Sequence, residues 1–185
     1  MLVIPEDPTY NGYIVGPLVS RTLEECGKRN AKVSVLPNPR VSGFEHARGL
    51  MPGIVEKYAH LDLLLFLVDA DGHDRSPLFG RLESDAARQG VRLICCAAVQ
   101  EIEVWLLAGH TGKLGRTWSE VRTDTSVKEN VFVPFLRRFG NDRRPGGGRD
   151  LLMRETLINY QGLLDRCPEL AELQEKVCDA LASRS

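Results

Sequence analysis

Two aspartates placed directly after an apolar run are the residues of this chain best suited to chemistry. Asp69 and Asp71 follow residues 61–68, whose nearly unbroken apolar character predicts a strand buried on both faces. Residues two apart in an extended segment point to the same side, so both carboxylates are expected to face one spot. Because carboxylates held close together need a cation or a proton, the pattern predicts a site for a hard divalent cation such as Mg²⁺.

Further acidic residues follow two other predicted strands. Glu6 comes after strand residues 2–4, and Glu101 and Glu103 come after strand residues 91–99. The carboxyl ends of parallel strands meet at one edge of a sheet, so Glu6 and Glu101 are expected to join the aspartates. Residues two apart on a helix point in different directions, so at most one of Glu101 and Glu103 should face the site. Glu101 is nearer the strand end, which leaves Glu103 as an exposed acid in the first helical turn.

The elements that would position these acids alternate between strands and helices. Strands are predicted at residues 2–4, 32–36, 61–68 and 91–99, and helices at residues 11–29, 44–58, 77–89 and 101–108. Gly49, Pro52 and Gly53 predict a break within the second helix. This alternation favours an α/β fold with a mostly parallel four-stranded sheet and helices on both faces.

The pattern changes after residue 109. We predict an α/β domain over residues 1–109 and a mostly helical C-terminal extension, packed on it, over residues 110–185. Within the extension, residues 111–130 are polar and irregular, and residues 141–149 (NDRRPGGGR) predict a mobile basic loop. Residues 151–181 have helical spacing with a break at Pro168, and their apolar positions would pack on the sheet, dock a partner or form a homodimer.

Composition limits the classes of protein to which the chain can belong. The chain has 185 residues, of which 43% are hydrophobic, so it can bury one sizeable core. A net charge of −1 gives no global attraction to nucleic acid, although a local basic groove remains possible. No apolar run approaches the roughly 20 residues needed to span a bilayer. The five cysteines form no CxxC pair, which predicts reduced thiols in a cytoplasmic protein and argues against a disulfide framework.

The order of these acidic residues resembles that of a known family. Glu6 after the first strand and Asp69-Ala-Asp71 after the third resemble the Toprim domain of topoisomerases, primases and overcoming-lysogenization-defect nucleases. The segment EIEVWLLA, residues 101–108, resembles a feature of short stand-alone Toprim-like proteins. Such proteins are often encoded beside an ATPase of the ABC or AAA type, sometimes in phage-defence loci. The resemblance covers residues 1–109 and implies a Rossmann-like Toprim fold.

The resemblance also implies an activity and roles for individual residues. Glu6 would be a metal ligand or general acid/base, Asp69 and Asp71 would hold Mg²⁺ or Mn²⁺, and Glu101 would be an additional ligand. The expected reaction is metal-dependent hydrolysis of phosphodiester bonds in DNA or RNA by an effector that works with an ATPase partner. Arginines could contact backbone phosphates without reading sequence, and the candidates are Arg75, Arg81, Arg143, Arg144 and Arg149.

Two other functions are compatible with the same residues. The DADG segment, residues 69–72, also resembles the Asp-x-Asp of haloacid-dehalogenase-type phosphatases, in which the first aspartate is a nucleophile after the first strand. A protein of another class, a catalytically silent Toprim-like module that binds an ATPase, is the remaining alternative. His73 could act as a proton shuttle in either enzyme, although a lone loop histidine is more often simply exposed.

Overall fold

A four-stranded, all-parallel sheet lies at the centre of the molecule, in a computed structural model that describes residues 1–182. The strands are β1 (Leu2–Pro5), β2 (Ser34–Val35), β3 (Leu64–Asp69) and β4 (Leu93–Ala98), in the spatial order β2-β1-β3-β4. In the register, Val3 of β1 lies opposite Leu65 of β3, which lies opposite Ile94 of β4. The predicted α/β class, and the prediction that the first and third strands are neighbours, are confirmed.

Helices follow each strand and then continue to the end of the described chain. The α-helices are α1 (Gly12–Glu25), α2 (Phe44–Lys57), α3 (Ser76–Arg88), α4 (Glu103–Leu107), α5 (Trp118–Thr123), α6 (Val133–Phe139), α7 (Arg149–Leu157), α8 (Tyr160–Arg166) and α9 (Pro168–Ala182). Two 3₁₀ turns (Ala108–Lys113 and Pro145–Gly148) and one π-helical turn (Lys128–Phe132) connect them.

The sheet is covered on both faces because side chains of a strand alternate between its two sides. Leu65 and Leu67 of β3 pack with α1, α4 and the helices beyond α5 in the larger core. Leu64 and Phe66 of the same strand pack with α2 and α3 in a second core. This two-sided burial explains why β3 is apolar at every position before Asp69.

Several predicted elements differ from the observed ones. The second strand is only Ser34–Val35, because prolines follow it closely and limit its pairing. The predicted break in the second helix is wrong, since α2 runs through Pro52 without interruption. The segment predicted to be irregular, residues 111–130, contains α5, which begins with a capping box between Thr117 and Glu120.

The predicted mobile basic loop is instead folded into a compact turn. The amide of Asn141 donates to the carbonyl of Gly147, and the amide of Gly147 donates to Arg144. Gly146 has a φ of 67°, and a Cβ at this position would lie 2.3 Å from a ring carbon of Tyr13. Glycine is therefore required here by both backbone conformation and close packing.

The prediction that the cysteines are all reduced is wrong. Cys26 at the end of α1 and Cys178 on α9 form a disulfide with a Cα–Cα distance of 5.1 Å. The two residues are 152 positions apart, so their spacing in the sequence carried no sign of the pairing. Cys95, Cys96 and Cys167 are free and buried, and burial raises the pKa of the Cys167 thiol to about 12.

The helices after residue 110 pack against the sheet and the helices that precede them. Val121, Phe132 and Leu173 belong to the same core as Leu65 of the central strand. The predicted boundary near residue 109 therefore crosses one continuous apolar core. The last three residues of the predicted extension, 183–185, lie outside the described part of the chain. Within residues 1–182, no helix has both the length and the apolar composition needed to cross a membrane.

Candidate metal centre

Three carboxylates converge where β3 and β4 end. Asp69 is the last residue of β3, while Glu101 and Glu103 follow β4, and Glu103 is the first residue of α4. One carboxylate oxygen from each lies within 4.8 Å of the others. Asp69 is 4% exposed and Glu103 is fully buried, so two of the three carboxyl groups are removed from water. Buried carboxylates this close repel each other unless protons or cations neutralise them.

Both glutamates reach the site because helix α4 begins only at Glu103. Glu101 precedes the helix, so the helical rule that separates residues two apart does not apply to this pair. The prediction that Glu103 is an exposed acid outside the site is therefore wrong. Ile102 lies between the two, and its amide donates a 2.6 Å hydrogen bond to Oδ1 of Asp69, which fixes the start of α4 against the end of β3.

Asp69 is held in a setting that favours its protonated form. Burial raises its pKa most, the hydrogen bond with Glu6 and the charges of Glu6 and Glu103 raise it further, and the amide of Ile102 opposes them. Together these interactions raise the pKa of Asp69 to about 9. Glu6, which follows β1, is therefore in contact with the cluster through Asp69, and its Oε2 is buried without a hydrogen-bond partner among the described residues.

Lys128 supplies a positive charge to the same site. Its Nζ lies 3.2 Å from Oε2 of Glu101 and 3.3 Å from Oε1 of Glu103. Burial would lower the pKa of Lys128, but the charges of Glu103 and Glu101 outweigh burial and raise it above its usual value. Burial likewise raises the pKa of Glu101, an effect that Lys128 opposes. Lys128 begins the π-helical turn, an irregularity often found at functional sites.

The donor set fits a divalent metal ion. Although Lys128 is close, neither carboxylate oxygen of Glu103 makes a hydrogen bond to any residue in the range 1–182. A fully buried carboxylate without hydrogen bonds is costly, since such groups normally have partners. Its oxygens point toward those of Asp69 and Glu101, and an all-carboxylate set suits a hard cation. These three residues could therefore hold a metal ion.

Asp71 does not join the cluster that was predicted to contain it. Its φ of 50° turns the backbone away from the extended conformation, so it no longer points in the same direction as Asp69. Its side chain is 54% exposed and pairs with Arg75 at 3.6 Å. The expectation that both aspartates face one spot is wrong, because β3 ends at Asp69 and a turn begins immediately afterwards. His73, in the same turn, is exposed.

The five predicted phosphate-binding arginines occupy different settings. Arg149 is half-buried, and its guanidinium carbon lies 5.1 Å from the centre of the Phe132 ring, at the end of the π-helical turn that Lys128 begins. Arg75 is largely buried, with its guanidinium 3.8 Å from the centre of the Phe44 ring. The remaining three, Arg81, Arg143 and Arg144, are exposed.

Sequence reasoning missed one residue of the site and misplaced another. Nothing in the polar segment around Lys128 marked this lysine, because its approach to the glutamates depends on how α5 and the following turn fold. The sequence pattern predicts a helix that begins at Glu101, and this start would leave Glu103 at the surface. The apolar segment VWLL, residues 104–107, was the available signal, because a short helix buried on every side also buries its first residue.

The three kinds of comparison with known proteins add no family to these observations. Neither the protein-family models nor the curated proteins nor the solved structures contain a match to this chain.

Proposed function

We propose that this protein is a Mg²⁺- or Mn²⁺-dependent nuclease with a Toprim-like α/β fold. The observation that carries the proposal is the fully buried Glu103, whose unbonded oxygens face Asp69 and Glu101 at the carboxyl edge of the sheet. This edge is where parallel α/β sheets place their ligands. The Toprim resemblance of Glu6 and Asp69 agrees with this location.

Asp69, Glu101 and Glu103 would hold the metal, and Glu6 would lie next to it. A metal bound to them would polarise a phosphate oxygen and lower the pKa of a water molecule that attacks phosphorus. Asp69 has to lose its proton before it can act as an anionic ligand, and Glu6 is in hydrogen-bonding contact to receive or pass on that proton.

Positive side chains beside the acids account for phosphate binding. Lys128 contacts Glu101 and Glu103, and Arg149 lies within the field of Glu103. Both cations are placed to bind a phosphate that approaches the acidic residues and to stabilise negative charge that develops on it. They also reduce the repulsion that the acids would exert on a polyanionic substrate.

Calorimetric titration of Mg²⁺ and Mn²⁺ tests the metal site directly. We expect binding to the wild type and none to Glu103→Gln, which keeps the size of the side chain but removes its charge. Glu129→Gln is the matched control, since Glu129 is an exposed acid one residue after Lys128. Normal binding by Glu103→Gln would contradict the metal site.

Cleavage assays then test the nuclease itself. Fluorescent DNA and RNA oligonucleotides, single-stranded and duplex, are incubated with Mg²⁺ or Mn²⁺ and the wild type or Glu103→Gln. Cleavage by the wild type alone is the expected result. Metal binding without cleavage of any of these substrates, with a candidate ATPase added or omitted, would favour the catalytically silent module over the nuclease.

The phosphatase alternative receives less support from the site. In that class the nucleophilic aspartate follows the first strand, whereas Asp69 ends β3, and the positive φ of Asp71 turns the second aspartate away from it. An ATPase partner and a role in phage defence remain proposals that rest on the resemblance. Co-purification of the protein with an ATPase of the ABC or AAA type tests the first of them.

A further inference from the structure

Arg149 is held in a fixed position beside the acidic cluster. Its guanidinium carbon lies 4.9 Å from the centre of the Tyr10 ring and 5.1 Å from that of Phe132, and Nη1 donates to the carbonyl of Gly146 at 2.7 Å. The compact glycine turn that precedes α7 sets this position. This hydrogen bond uses one of the five N–H donors of the guanidinium, so the group keeps donors for a ligand.

Tyr10 exposes an aromatic ring next to this arginine. Its side chain is one of three large exposed hydrophobic groups among the described residues, with 50% of its surface accessible. The loop that carries it is ordered, because Oδ1 of Asp7 accepts the amides of Thr9 and Tyr10. An exposed ring on an ordered loop, with a cation against it, is a surface on which a nucleic-acid base can stack.

A second arginine–aromatic pair lies on the other face of the sheet. Arg75, after β3, stacks on Phe44 at the start of α2, and Phe44 packs against the core formed with α2 and α3. Phe132, under Arg149, belongs to the opposite core. The two pairs therefore flank the carboxyl edge of the sheet, and Asp69 lies at that edge between them.

Resting on the proposed nuclease function, we infer that the substrate is single-stranded nucleic acid, with one base stacked on Tyr10, the adjacent phosphate on Arg149 and a more distant phosphate of the strand near Arg75. Bases of a single strand are free to stack on protein rings, whereas bases of a duplex are paired with each other. The recessed carboxylates favour the same substrate, because Asp69 and Glu103 lie below the surface. A flexible strand can bend a phosphate into this recess, and a stiff duplex cannot.

Fluorescence anisotropy of labelled oligothymidine, with oligothymidine–oligoadenosine duplex for comparison, tests the inference. Binding is measured both in EDTA and in Ca²⁺, so that it does not depend on hydrolysis. We expect tighter binding of the single strand and a loss of about tenfold in affinity for Tyr10→Ala. Tyr10→Phe keeps the ring and should bind like the wild type, and Ile158→Ala, which removes an 86% exposed side chain elsewhere, is the control.

The outcomes separate this inference from the proposed function. Equal or tighter binding of the duplex, or Tyr10→Ala that is folded by circular dichroism yet binds like the wild type, would overturn the inference and leave metal-dependent cleavage standing. If Tyr10→Ala weakens binding of the single strand while the wild type binds no Mg²⁺, the inference is supported and the proposed nuclease function is contradicted. Oligouridine in parallel separates RNA from DNA, and a Tyr10-dependent interaction with either supports the single-strand proposal.

Discussion

Two carboxylates near Trp105, those of Glu103 and Glu169, differ in how the protein partners them. Glu169 of α9 accepts two hydrogen bonds from Arg122, each at 3.1 Å, and one at 3.0 Å from Nε1 of Trp105. Glu103, two residues before Trp105, has no hydrogen bond from any residue in the described chain. The first carboxylate is fully partnered by hydrogen bonds within the protein, while the second makes an ion pair with Lys128 at 3.3 Å but no hydrogen bond.

The contrast separates a carboxylate used for stability from one reserved for function. A bidentate pair such as Arg122–Glu169 ties α5 to α9 and satisfies both charges. The cluster of Asp69, Glu101 and Glu103 instead brings like charges together and relies on Lys128 and a proton for neutrality. Such an arrangement lowers stability in the absence of a ligand, a common property of functional sites.

The largest effect is expected from removing the charge of one cluster member. Asp69→Asn should abolish detectable Mg²⁺ binding, because a neutral amide replaces an anionic ligand. It should also raise the free energy of unfolding, since the amide can still accept from Ile102 and can donate to Glu6. Calorimetric titration and urea denaturation measure the two effects.

Asp71→Asn is the matched control for that experiment. It removes the same charge two residues later, at a side chain that is exposed and outside the cluster. Mg²⁺ affinity should stay within a factor of about three of the wild type, as expected for an exposed charge. Loss of binding in Asp71→Asn would show that the Toprim-type ligand pair operates despite the geometry of this turn.

The next effect is expected at the partnered carboxylate. Arg122→Met leaves the partly buried Glu169 without its charged partner and should lower the free energy of unfolding by about 1–3 kcal/mol. Mg²⁺ affinity should not change. Urea denaturation checks the first expectation and calorimetry the second. A decrease in the free energy of unfolding of less than about 1 kcal/mol would mean that this pair contributes no more than an ordinary surface ion pair.

A smaller effect is expected from Lys128, which occupies the same space as an incoming cation. Lys128→Met should tighten Mg²⁺ binding by about tenfold, because an ammonium no longer competes for Glu101 and Glu103. Lys113→Met is the control, since this lysine pairs with Glu155 away from the cluster. Weaker binding in Lys128→Met would mean that the lysine organises the acids rather than competing with the metal.

A pH dependence also distinguishes the two regions. The pKa of Asp69 is raised from 3.8 to about 9, so the folded protein holds this proton more tightly than the unfolded chain. Its contribution to stability is complete below 3.8 and is lost as the pH rises toward about 9. Urea denaturation at several pH values in this window should show a decline in the wild type that Asp69→Asn lacks.

Mg²⁺ binding should show the complementary dependence. Because Asp69 has to lose its proton to bind an ion, Mg²⁺ affinity should rise with pH up to about 9, and binding should release a proton. Calorimetry in buffers of different ionisation enthalpy counts the released proton. A pH-independent affinity would mean that Asp69 is already ionised in the free protein.

The sheet was predictable because its signal is local. The apolar runs that end near Asp69 and Ala98 form β3 and β4, and their alternation with helices implied parallel pairing. The ends of elements were less predictable. A start of α4 two residues later than expected brought Glu103 into the site, and a single positive φ at Asp71 took that residue out of it. Each depends on backbone dihedrals that side-chain types do not specify.

The contacts of the site that join segments distant in sequence could not be predicted from the sequence. Lys128 approaches the glutamates only because the chain after α5 folds back over the start of α4. Arg149 stacks on Tyr10 because the turn before it is folded. A run of three glycines is equally typical of a mobile linker, so the sequence did not indicate this fold. In both cases two segments that are distant in sequence come into contact, and the hydrophobic periodicity of neither segment predicts that contact.

The bond between Cys26 and Cys178 makes most of the polypeptide a closed ring. The ring contains β2, β3 and β4, the three acidic residues Asp69, Glu101 and Glu103, and the glycine turn, whereas β1 and α1 lie outside it. A protease that cuts one peptide bond between these cysteines therefore produces two pieces that stay joined. They should migrate as one species on a denaturing gel and separate only after a reductant is added.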